Sequence, residues 1–184
     1  MNKALHFDGL NAFALMKAVS TVLDLDIPIQ VEDSDRGFLM FNSDTGNVLC
    51  SRLSIREIYT REINNPKCYH STLLIVEKAY NQIAYLDCAV SDETAYGIFS
   101  CLHEIGHYIH WKETDAEQFG REEAARCVEL QALNDRAQND ADKGMSQEEV
   151  YERFAVGYRL IGLEKNADDY AANTIRHVIQ AWSE

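Results

Sequence analysis

Leu102-His103-Glu104-Ile105-Gly106-His107 is the stretch on which the reading of this chain turns. It has the form H-E-x-x-H. In an α-helix, histidines four apart stand one turn above each other, so both imidazoles reach one metal ion while the glutamate between them points at water held there. The flanking residues favour a helix with two distinct sides. Ile98, Leu102, Ile105 and Ile109 make an apolar stripe, and His103 and His107 fall on roughly the opposite face with Glu104 beside them. Gly106 stands inside that helix, where glycine costs about 1 kcal/mol relative to alanine; close approach of another element is the expected reason for it.

Two histidines leave a metal site incomplete, because catalytic zinc takes three protein donors and keeps a position open. The extended pattern H-E-x-x-H-x-x-G-x-x-H would need glycine at 110 and histidine at 113; the chain has His110 and Glu113. Glutamate is then the natural third donor, and the candidates are Glu122, Glu123, Glu129 and Glu164. Glu164 has the best surroundings. It lies four residues before Asp168, so the two share a helix face, with Glu164 able to bind metal and Asp168 to accept a hydrogen bond from the far ring nitrogen of a ligand histidine.

Taken with H-E-x-x-H, the later segment Y-x-x-x-x-x-E-x-x-A-D-x-Y-A (Tyr158 to Ala171) resembles gluzincin-type metallopeptidases, in particular the compact intracellular enzymes of the ImmA/IrrE type. The resemblance covers residues 82–172 and is specific at His103, Glu104, His107, Glu164, Ala167 and Tyr170. Two departures stand out. Gly162 occupies a place where such enzymes often carry proline, and the gap between the motifs is long, filled by an extra charged helix. Glu123-Ala124-Ala125 also resembles the E-A-N segment of these families, which keeps Glu123 open as third ligand beside Glu164. The resemblance implies a zincin-like fold and a regulatory protein as substrate.

The expected chemistry is hydrolysis of a peptide bond with Zn2+ as cofactor. Zinc held by His103, His107 and a glutamate brings its water toward neutrality; Glu104 takes the proton as the water attacks and returns it to the leaving amine. Tyr108, His110, Tyr158, Tyr170 and His177 are candidate donors to the oxyanion, unranked by sequence. Iron, cobalt or manganese also accept such ligands. Two other classes stay in view: a metal-binding regulator that holds a protein partner without turnover, against which the intact Glu104 speaks, and a metal-free helical interaction protein.

Composition narrows the setting. The 184 residues, 46% of them hydrophobic, suffice for one core, so a single domain is expected over 1–184, with a helix and small sheet in 1–90 and the motif helix and its successors in 91–184. A formal charge of -13 argues against nucleic acid as partner. The five cysteines form no C-x-x-C pair, and no signal peptide or membrane span is evident, which together predict a cytoplasmic chain; its oligomeric state is open.

The predicted fold class is α+β: a small twisted sheet with the motif helix behind it and a helix-rich C-terminal half. Asp8 or Asn11 caps a first helix to about Leu23; 29–32, 37–41 and 48–50 read as strands, with 43–47 as a turn. Ser54-Ile-Arg-Glu57 is a capping box for a short helix that stops before Asn64-Asn65-Pro66. Strands are expected at 71–77 and 82–90, the latter an edge able to receive an extended peptide. Ser91 or Asp92 caps the motif helix, and further helices are expected over 115–139, 146–162 and 163–182, broken at Lys143-Gly144, with a second capping box at Ser146-Glu149.

Overall fold

The computed structural model describes residues 3–5, 7, 9–32 and 39–183. Along the chain run β1 (Lys3–Leu5), α1 (Ala12–Val22), β2 (Ile29–Glu32), β3 (Leu39–Asn42), β4 (Asn47–Ser51), α2 (Ile55–Asn64), α3 (Pro66–Ile83), β5 (Cys88–Val90), α4 (Asp92–Glu113), α5 (Ala116–Asp142), α6 (Gln147–Tyr158) and α7 (Gly162–Ser183). The class is mixed α+β, mostly helical, with one three-stranded sheet ordered β2-β4-β3 and a separate parallel pair of β1 with β5. Strand β4 is central, parallel to β2 and antiparallel to β3, so that Val48 lies between Ile29 and Phe41.

Local chemistry sets most boundaries. Asn11 caps α1 by accepting from the Ala14 N–H at 2.8 Å, and Ser91 caps α4 through Thr94. Both capping boxes form, Ser54 with Glu57 and Ser146 with Glu149. The Lys143-Gly144 break ends α5, with Gly144 at φ 85°, in the left-handed region that glycine enters without a Cβ clash. Asp8, Gly37 and Phe38, named in the sequence expectations, lie outside the described residues.

One expected strand is not there, and another is cut to its last residues. Residues 71–77 belong to α3, an eighteen-residue helix that also takes in 82 and 83, and only Cys88–Val90 remains extended. Asn64-Asn65-Pro66 closes α2 and opens α3 at once: the Asn65 side chain accepts from Lys67 N at 3.1 Å, and Pro66 sits in the first turn, where no N–H is needed. The β-branched run then buries Thr72, Ile75, Val76, Ala79 and Ile83, a helical spacing that overrides strand propensity. The expected peptide-receiving edge at 82–90 shrinks to the three residues Cys88–Val90, paired with β1. The edge that flanks the motif helix is β3.

Helix α4 is the centre of the packing. It meets α1, α2, α3, α7, β3 and β4, and Ile98, Phe99, Leu102 and Ile105 are fully buried among Leu15, Val48, Ile55 and Ile175. The long α5 buries only Phe119 and Leu133 and forms a hairpin with α6. All five cysteines are free thiols, two of them, Cys50 and Cys101, buried. Among the described residues, no helix is long and apolar enough to cross a membrane.

Candidate metal centre

Helix α4 brings His103, Glu104 and His107 to one cleft, and α7, packed along it, brings Glu164 and Asp168 to the same place. Gly106 is what lets the two helices meet. A Cβ there would stand 3.0 Å from the Ala167 Cα and 3.2 Å from its carbonyl oxygen, so the close approach expected from the sequence is found, with the α7 backbone as the neighbour. Ala167, small and 2% exposed, completes the contact.

The donors converge. Ligand atoms of His103, His107 and Glu164 all lie within 4.8 Å of one another. Glu164 Oε2 faces His103 Nε2 at 3.3 Å and His107 Nε2 at 3.7 Å, and the two Nε2 atoms are 3.1 Å apart. His103 Nδ1 donates to Asp168 Oδ1 at 2.8 Å, which fixes the tautomer and leaves the Nε2 lone pair for the cluster. Two imidazoles and a carboxylate, all aimed inward and one ring held by a buried acid, are a donor set that suits a divalent transition metal.

The other candidates go elsewhere. Glu122 pairs with His110 and accepts from Gln118, and Glu129 accepts from Gly162 N at 3.1 Å, at the positive end of α7. Glu123 lines the cleft but is not in the cluster; its nearest ion-pair partner is Arg126 Nη1 at 3.8 Å. Of the five possible oxyanion donors only Tyr158 lines the cleft. Tyr108 OH donates to the Asp26 carbonyl, His110 is taken by Glu122, Tyr170 packs beside Gly106, and His177 is exposed.

Several participants had no sequence signature. Arg126 Nε donates to Glu164 Oε1 at 2.7 Å, Lys78 Nζ to Asp168 Oδ2 at 2.6 Å, and Arg159 Nη1 to Asp168 Oδ1 at 3.0 Å. On the sheet side, the Phe41 N–H on β3, the outer strand of the sheet among the described residues, donates to Glu104 Oε2 at 2.7 Å, holding that carboxylate in the cleft. Arg159, inside the quoted Tyr158–Ala171 stretch, and Arg126, directly after Glu123-Ala124-Ala125, lay close to a motif without being singled out.

These contacts govern the charges. Burial opposes ionisation of Glu164, but hydrogen bonds and charge from His103 and His107 prevail and hold its carboxyl well below the usual range. Asp168 is likewise buried, yet His103 and Arg159 bring it down to about 2. Burial alone would lower His103; the hydrogen bonds to Asp168 and Glu164 outweigh it and push the imidazole up to about 9. Without metal, the cluster therefore keeps a proton between two carboxylates. Burial and the Glu164 charge push the Tyr158 phenol up, so it stays a donor at neutral pH.

The cleft has a volume of about 550 Å³ and runs between β3, α2, α3, α4, α5, α6 and the start of α7, with an apolar floor that includes Ile58, Ile75 and Phe99. Comparison of the chain with family models, with curated proteins and with solved structures finds no match.

Proposed function

We propose that the chain is a zinc-dependent peptidase with a zincin-like active site of the gluzincin kind, acting on a peptide or protein substrate. The observation that carries this reading is the convergence of His103, His107 and Glu164 beside Glu104, with Asp168 behind His103. Zinc held there supplies Lewis acidity, polarising a peptide carbonyl and acidifying water. Glu104, one oxygen of which is already engaged by Phe41, has its other oxygen to take the proton of the attacking water and pass it to the leaving nitrogen. Tyr158 lines the cleft beside Glu164 and Arg126 and is the donor to the developing oxyanion. Among the described residues the outer edge of β3 has no strand partner, and an extended peptide aligned along it would lie next to that chemistry. The reading includes a cytoplasmic setting and no role for nucleic acid.

Elemental mass spectrometry of protein purified without added metal or chelator tests it. About one zinc per chain is expected, lost in His103→Ala and in Glu164→Ala and kept in Glu104→Gln. Glu104→Gln should abolish cleavage of a peptide library while leaving the fold intact. Absence of metal in wild type, even after reconstitution, would refute the peptidase reading. Metal without turnover in wild type and Glu104→Gln alike would favour a regulator that binds its partner.

A further inference from the structure

The α5–α6 hairpin separates the two motifs and brings one cation to the cluster. Arg126 is the sole basic residue that α5 sends into the cleft among the described residues. Its Nε donates to Glu164 Oε1 at 2.7 Å, while Glu164 Oε2 faces both histidine Nε2 atoms. Glu164 is 2% exposed, so neither of its oxygens can trade a protein partner for bulk water. The two oxygens are thus assigned different tasks by their neighbours.

From this division we infer that Arg126 is a positioning residue that restricts Glu164 to presenting a single oxygen to the metal; the inference rests on the proposed metal site. A carboxylate free of such a partner can turn both oxygens on a cation, and each added donor fills a position that hydrolysis needs open. The guanidinium prevents this in two ways. It occupies Oε1 with a charge-assisted hydrogen bond, and its planar fork cannot follow a rotated carboxylate without losing that bond. Its positive charge also stands against that of the ion, so the hairpin trades metal affinity for an open position. An arginine that merely anchored Glu164 would have the opposite effect on affinity when removed.

Arg126→Met, which keeps the length and removes the charge and donor, separates these cases. Cobalt-loaded wild type and variant are compared by visible absorption, chelator competition and turnover of a cleaved peptide. The expected result is metal held as tightly as in wild type or tighter, weaker visible absorption as the ion gains a donor, and turnover down roughly 10- to 100-fold. Arg126→Lys, which keeps the charge without the fork, should lie between the two. Loss of metal affinity in Arg126→Met, or an unchanged spectrum, would overturn the inference while leaving the peptidase reading intact. A wild type that takes up no cobalt would defeat both, and one that takes it up without turnover would defeat the peptidase reading alone, since the spectrum and the affinity still decide the role of Arg126.

Discussion

Asp168 is shared by three groups from three parts of the chain: His103 on α4, Lys78 on α3 and Arg159 just past α6. At 1% exposure it has no solvent to fall back on. Replacing it by asparagine removes the charge that two buried or half-buried cations face and allows an N–H to point at His103 Nδ1, which favours the wrong tautomer. Asp168→Asn should therefore weaken metal binding about 10- to 100-fold and, through the uncompensated cations, destabilise the metal-free fold by about 3 kcal/mol or more. Chelator competition and urea unfolding measure the two losses; a variant with wild-type metal affinity would show that the carboxylate orients nothing.

Helices α4 and α7 differ in how they hold their site residues. Between Glu93 and Trp111 no α4 residue is exposed, whereas α7 alternates buried Glu164, Ala167, Asp168 and Ala171 with exposed Lys165, Asn166 and Asp169. Their crossing depends on Gly106. Gly106→Val puts two methyl groups against the α7 backbone, so a loss of about 1–3 kcal/mol is expected from overpacking, together with weaker metal binding as Glu164 is pushed from the histidines. Gly120→Ala, in α5 where a Cβ would meet nothing within 4 Å, serves as control and should gain up to about 1 kcal/mol. Thermal melts with and without zinc check both; unchanged metal affinity in Gly106→Val would mean the crossing does not set the cluster. The elements were legible to the extent that their signals are local. Capping boxes, the Gly144 break and the i, i+4 pairs His103/His107 and Glu164/Asp168 all stand within a turn of one another. The run 71–77 was not legible, because its β-branched composition reads as strand until Pro66 and the buried spacing through Ile83 are taken together. Contacts between residues 38, 63 and 90 apart, Arg126 to Glu164, Phe41 to Glu104 and Lys78 to Asp168, leave no trace in a short window.

Across the whole molecule, the protonation of the cluster links folding to pH. His103 is raised from 6.5 to about 9, so in the metal-free protein its contribution is fully present below pH 6.5 and is lost as pH rises through 9. Asp168 is lowered from 3.8 to about 2, so its contribution is present above pH 3.8 and is lost as pH falls through 2. Metal-free protein should thus melt at its highest temperature between those limits and decline above pH 6.5. Zinc should flatten the alkaline limb and release about one proton per ion on binding below pH 9, which calorimetry in buffers of different ionisation enthalpy reads. A metal-free melting temperature constant from pH 6.5 to 9 would contradict the linkage. At the other end of the molecule, the tip of the α5–α6 hairpin is free of these couplings. Gly144 has open space around it, Asp142, Lys143 and Ser146 beside it are exposed, and the cleft-lining residues of α5 and α6 all lie toward the opposite end of the hairpin. The tip is accordingly an engineering handle: a fluorophore, an affinity tag or a small inserted domain placed at Lys143-Gly144 can report on the protein without entering the cleft.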